Sequence, residues 1–203
     1  MKVLPPEIPS TKLRYGDPRY DDPEKNVADL LPYVEAGATV ITPGPSCSLM
    51  LKTEYPKLLA NPDAERVAKG TQDLMEYIYD LARAKKLSRD FKSSLGRVAY
   101  HAPCHLRAQN IGFRSRDLLQ LAADEVVLVD ACSGVDGTWG MQVRFYDESM
   151  KVASGMLKRL DAAKPDWVST DCPLAALRIQ KGLGVKALHP VVLLNRAYQE
   201  SAS

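Results

Sequence analysis

The chain has 203 residues, 45 % of them apolar, and its 27 basic against 25 acidic side chains leave a net charge of +2. That apolar share builds a real core and excludes an intrinsically disordered chain. So balanced a charge argues against a nucleic-acid partner, because phosphate-binding domains carry a marked basic excess.

The N-terminal stretch Met1-Lys2-Val3-Leu4-Pro5-Pro6 lacks the apolar segment of a signal peptide, and no apolar run is long enough to span a bilayer. The expectation is a cytoplasmic protein, with peripheral docking onto a membrane partner left open. Residues up to about Asp22, rich in Pro, Tyr and charge, read as an extended arm. Pro23 to Ala36 has the spacing of a helix, closed by Gly37, and residues 38 to 41 read as a short buried strand. Ser46 is placed to cap a second helix running to Leu58. Asn61-Pro62 opens a third, whose face Val67, Leu74, Ile78 and Leu81 predicts one long amphipathic helix. Lys85 to Gly96 is polar and reads as a linker. Strands are then expected at 97–100, 125–129, 167–169 and 185–188. They alternate with helices through about Leu121, over 142–163, over 173–181 and from Pro190. That alternation argues an α/β fold with mainly parallel sheets and helices packed on their faces.

"VITPGPSCSL" at 40–49 can be laid on "VSTDCPLAAL" at 168–177, matching Val40 with Val168, Thr42 with Thr170 and Leu49 with Leu177. This weak internal repeat predicts two pseudo-repeated halves, divided as residues 1–92 and 93–203. In this register the two segments keep opposite members of what would be one C-x-x-C.

Four cysteines, at 47, 104, 132 and 172, form no C-x-x-C pair. In a reducing compartment they are left for metal binding, catalysis or burial. Cys104, Cys132 and Cys172 each follow a predicted strand. The carboxyl ends of parallel strands lie on one edge, where ligands bind, so the three can converge. Thiolates are soft ligands suited to iron–sulfur clusters or zinc, while a free cysteine is also a common buried hydrophobe. His101 and His105 flank Cys104 in "HAPCH", which makes a Cys₃His zinc site chemically reasonable, and His189 ends a predicted strand. "CSGVDGTWG" fits neither phosphate-binding pattern; Gly134 and Gly137 instead allow close approach to a bulky ligand or a sharp turn. Arg107, Arg114 and Arg116 read as a solvated helix start or as a receptor for an anionic group.

Together "YHAPCHLRAQNIG", "ACSGVDGTWG", "STDCPLAALRIQKG" and "HPVVLL" resemble the cysteine-rich CCG domain. That family includes the B subunit of heterodisulfide reductase, the C subunit of anaerobic glycerol-3-phosphate dehydrogenase and the iron–sulfur subunit of glycolate oxidase. The resemblance covers residues 24 to 200, with "GPSCSLMLKTEYPKLL" similar to the end of the family's first repeat. It implies that Cys104, Cys132 and Cys172 match the first cysteine, the first of C-C-G and the first of C-x-x-C. Cys47 matches the last cysteine of the first repeat. Ser133, Ala175 and Gly44 stand where the family has cysteines, and the first repeat's leading motifs do not occur, as in a truncated or reduced lineage.

The resemblance implies an iron–sulfur-binding electron-transfer subunit or accessory of a flavin-linked oxidoreductase. Cys104, Cys132 and Cys172 would be its ligands, His105 or His101 the fourth, Gly134 and Gly137 would lie close to the cofactor, and Cys47 would be peripheral. A [4Fe–4S] cluster is expected, with zinc as the alternative. Partners would be other subunits of a redox complex, among them a flavoprotein dehydrogenase. A structural or assembly subunit, with zinc or no metal, is the second reading. Thiol–disulfide chemistry is a third, weakened by the sequence separation of the cysteines.

Overall fold

The computed structural model describes residues 22–199, so the expected arm over residues 1 to 21 lies outside it. The described chain divides into two compact units. One comprises residues up to Thr42 together with Cys47–Gln72, the other Pro43–Ser46 together with the residues from Asp73 onward. The boundary expected at residue 92 follows the repeat, whereas this division follows packing.

In the first unit, α1 (Pro23–Glu35) begins where the Asp22 carboxylate accepts the N–H groups of Glu24 and Lys25, with Pro23 in the first helical position. The strands β1 (Val40–Thr42) and β2 (Thr71–Asp73) pair as a two-stranded sheet. The second helix starts at Pro45, two residues earlier than a cap at Ser46 requires. It runs as α2 (Pro45–Leu49), a π-helical turn (Met50–Glu54) and α3 (Tyr55–Leu59). After it, α4 (Pro62–Lys69) is capped by Asn61, whose side chain accepts the Ala64 N–H at 2.8 Å. Val27, Ala64 and Val67 form the core, covered by Leu30, Leu31, Leu51, Tyr55 and Leu59.

The long helix expected beyond Asn61 is two. After Lys69 the Thr71 hydroxyl donates back to the Val67 carbonyl at 2.7 Å and the chain extends as β2. Asp73 then starts α5 (Leu74–Arg83) with a capping box, accepting the Met75 N–H while the Glu76 carboxylate accepts its own. Apolar spacing by sevens continues across the break, which is why periodicity alone reads one element.

The second unit is built on three parallel strands, β3 (Arg97–His101), β4 (Glu125–Val129) and β5 (Trp167–Thr170), in the order β4-β3-β5. The fold is α/β, as expected. Val98 and Tyr100 of the central strand face a cluster with Met75, Leu118, Leu119 and Leu193, brought by α5, α7 (Arg114–Leu119) and α10 (Pro190–Ala197). Ala99 faces the other way, onto Ala153, Met156, Leu160 and Ile179 of α8 (Tyr146–Ala162) and α9 (Pro173–Leu183). A sheet buried on both faces explains why its strands read as apolar runs rather than alternations.

Two further expectations are corrected here. The segment 185–188 is no strand: it contributes a single parallel bridge, Ser169 to Leu188. The linker expected at 85–96 packs within this unit, with the Lys92 N–H on the Ala197 carbonyl at 2.7 Å and Phe91 against Tyr198. In the register of the internal repeat Pro45 lies on Pro173, and each is the first residue of a helix that follows a short strand.

Candidate metal centre

The three cysteines of the second unit follow the carboxyl ends of its three strands. Cys104 begins α6 (Cys104–Ala108), just past β3; Cys132 lies in the loop after β4; Cys172 is the N-cap of α9, just past β5. Because β3 is central, all three leave the same edge of the sheet from adjacent strands. Cys104 and Cys132 are exposed and Cys172 is half-buried.

Local backbone amides turn toward two of the sulfurs. The Gly134 N–H donates to Cys132 Sγ at 3.3 Å and the Ala175 N–H to Cys172 Sγ at 3.5 Å. Burial pushes the Cys172 thiol up, and the amides of Ala175 and Leu174 oppose this. Burial wins. Among the described residues, no three His, Cys, Asp or Glu side chains are drawn together tightly enough to hold one metal ion. The soft donor chemistry fits an iron–sulfur group, and N–H bonds to the sulfurs are a known means of tuning one.

The two histidines of "HAPCH" have different surroundings. His101 is buried, with Nε2 3.0 Å from the Ala131 carbonyl and Nδ1 3.0 Å from Thr170 Oγ1. A carbonyl only accepts, which assigns the proton to Nε2 and makes Nδ1 the acceptor of the Thr170 hydroxyl. Thr170 Oγ1 in turn accepts the Cys172 N–H at 3.4 Å. One imidazole thus ties the residue before Cys132 to the strand end before Cys172, from a strand that leads to Cys104. Burial lowers its pKa from 6.5 to about 4, so it is neutral at physiological pH. Both ring nitrogens are committed to protein.

His105 is partly exposed, and its Nδ1 lies 2.8 Å from Ser46 Oγ. Among the described residues its Nε2 has no protein partner. A ring oriented through one nitrogen with the other free is the usual arrangement of a ligand histidine. His189 instead caps α10, accepting the Val191 N–H on Nδ1 at 3.2 Å, with a pKa lowered by burial.

Gly134 and Gly140 of "CSGVDGTWG" serve packing. Gly134 has φ +68°, and a Cβ there would lie 2.3 Å from the Ser149 carbonyl of α8; a Cβ at Gly140 would lie 2.3 Å from the Gly134 carbonyl. Gly137, at φ +62°, faces open space. Cys47 is exposed on α2 and belongs to the first compact unit. The arginines have local partners: Arg107 pairs with Asp130 at 2.5 Å, Arg114 lies 4.2 Å over Tyr79 and Arg116 pairs with Asp117 at 2.6 Å.

Sequence reasoning passed over a buried polar group beside Cys172. Asp171 accepts the Tyr100 hydroxyl at 2.6 Å and the Ser115 hydroxyl at 2.5 Å, and burial raises its pKa. The signal present was an aspartate between a strand end and a cysteine, in "STDCP". Tyr100→Phe is expected to cost about 1–3 kcal/mol, the usual penalty for leaving a buried acceptor short of a donor, read as a lower urea midpoint at unchanged slope.

With this geometry in view, residues 98–180 match the family described as CCG, a cysteine-rich domain. The C subunit of anaerobic glycerol-3-phosphate dehydrogenase from Escherichia coli strain K12 is 26 % identical over 164 residues, covering 79 % of this chain and 41 % of that protein. Lactate utilization protein A of Geobacillus sp. strain WCH70 is 22 % identical over 210 residues, covering 93 % of this chain and 85 % of that protein. The B subunit of fumarate reductase (CoM/CoB) from Methanothermobacter marburgensis is 30 % identical over 179 residues, 82 % of this chain and 34 % of that protein. The chain spans less than half the length of the first and third of these. Among its described residues no helix is long and apolar enough to cross a membrane.

Proposed function

We propose that the chain, whose residues 98–180 match the CCG cysteine-rich domain family, is an iron–sulfur-binding electron-transfer subunit of a flavin-linked oxidoreductase. The observation that carries this reading is the exit of Cys104, Cys132 and Cys172 from three adjacent parallel strands at one edge. These three would hold a [4Fe–4S] cluster, which when bound supplies one-electron transfer. Thiolates are soft ligands of the kind such a cluster takes.

The fourth position falls to His105 rather than His101. His105 keeps Nε2 free while Ser46 orients the ring; His101 spends both nitrogens holding the loops. Gly134 contributes its N–H to Cys132 Sγ, Gly137 turns the loop that carries it, and Cys47 is peripheral. The relatives named as parts of a dehydrogenase and of a reductase support a place within a redox complex, with a flavoprotein as donor or acceptor. Any membrane association would come through such a partner.

A second reading, a structural or assembly subunit with zinc or no metal, has its own support. Ser133 and Ala175 stand where the resemblance expects cysteines, and Ala175 is fully buried. Anaerobic reconstitution followed by EPR of the reduced protein separates the readings. The cluster reading expects a signal in wild type that Cys132→Ala removes. No iron bound by wild type, or undiminished binding by Cys132→Ala, contradicts it.

A further inference from the structure

Arg178 is a cation in the wrong place for a solvated helix. It lies on α9 with only 5 % of its surface exposed, between the apolar neighbours Leu177 and Ile179. Its guanidinium donates to the Gly140 carbonyl at 2.7 Å and to Ser149 Oγ at 2.5 Å, contacts Met150 Sδ, and lies 5.3 Å from the Tyr146 ring centroid. Each of these partners is neutral. Among the described residues no carboxylate pairs with it. Neutral partners orient a buried charge without compensating it, and buried charges in folded proteins are as a rule paired.

Arg178 also lines a partly open cavity of about 280 Å³. Its lining is mainly apolar, with Val135, Met141 and Tyr146 beside Leu174 and Leu177 of α9, and the exposed Lys181 lies one turn beyond Arg178. Positions 174, 177, 178 and 181 form one face of the helix, so both cations and the apolar wall address the same space. A mainly apolar cleft with one fixed, unneutralised charge is the form of a small-ligand site.

We propose that this cavity binds a small organic carboxylate, its apolar body against Leu174, Leu177 and Val135 and its carboxylate on Arg178, with Lys181 at the mouth. No cysteine lines the cavity and binding there needs no metal, so the proposal is tested independently of the cluster reading. Nη2 is spent on Gly140 and Ser149 and one Nη1 hydrogen on Met150, which leaves Nε and the other Nη1 hydrogen as donors, so a carboxylate takes a single charge-assisted bond and brings the missing charge.

The test is a ¹H–¹⁵N NMR titration of the full chain with benzoate, against benzamide, which has a similar shape and no charge. Saturable shifts confined to Gly140, Leu174, Leu177, Arg178 and Lys181 are expected with benzoate alone. Leu177→Glu, at a half-exposed position where a carboxylate is tolerated by the fold, is expected to abolish binding. Arg178→Gln is expected to weaken it about tenfold or more, the usual worth of a charge-assisted hydrogen bond. Equal binding of benzamide, retained binding in a folded Leu177→Glu variant, or the absence of saturable shifts with benzoate overturns the proposal.

Discussion

His101→Leu is expected to destabilise the second unit by about 2–4 kcal/mol at pH 7.5, because it strips partners from both the Ala131 carbonyl and the Thr170 hydroxyl inside a packed sheet. His101→Asn, with one donor and one acceptor of its own, is expected to recover part of that loss. The pH dependence isolates the imidazole further. Its pKa is about 4 in the folded protein against 6.5 when unperturbed. Between these values the unfolded chain takes up a proton that the folded chain refuses, so stability falls as pH drops. Above 6.5 the group is neutral in both states and costs nothing; below 4 the loss is complete, at about 3 kcal/mol. Urea midpoints from pH 7.5 to 4 are therefore expected to fall more steeply for wild type than for His101→Asn. Parallel curves would remove His101 from its place as the tie among the cysteine-bearing loops.

Gly134→Ala is expected to do comparable damage for a different reason. A left-handed backbone at φ +68° costs a non-glycine residue about 1–2 kcal/mol, and here the new Cβ also meets the Ser149 carbonyl at 2.3 Å, backbone that cannot rotate away. The loop must lift from α8, losing the bond from Ser149 Oγ to the Gly134 carbonyl and moving the N–H that faces Cys132 Sγ. The expected cost is about 3 kcal/mol or more, accompanied by lower iron retention. Gly137→Ala is the control, with nearly the same φ and nothing near its Cβ, and about 1–2 kcal/mol of backbone strain alone is expected. Equal thermal shifts in the two variants would show that close packing on α8 is not what Gly134 provides.

Much of this arrangement is legible in the sequence. Strands recognised as apolar runs at 97–100, 125–129 and 167–169 prove to be adjacent and parallel, and the cysteines after them leave one edge. What stays hidden is decided by partners distant in sequence. His101 and His105 look alike in "HAPCH", and only Thr170, Ala131 and Ser46 separate a buried tie from a ring with a free nitrogen. The continuous periodicity over 67–81 conceals a break, because Thr71 and Asp73 stop one helix and start another through local hydrogen bonds that a hydrophobic pattern does not register. Asp171 and Arg178 pass as ordinary polar residues, since nothing in a single sequence distinguishes a buried charge from a solvated one.

The most direct test of the cluster reading is elemental analysis of protein purified without oxygen, with acid-labile sulfide measured on the same sample. Iron and sulfide in near-equal amounts are expected, sharply reduced in the Cys104→Ala, Cys132→Ala and Cys172→Ala variants and retained in Cys47→Ala. Zinc in place of iron, no metal at all, or iron that survives loss of any of the three strand-end cysteines would contradict it.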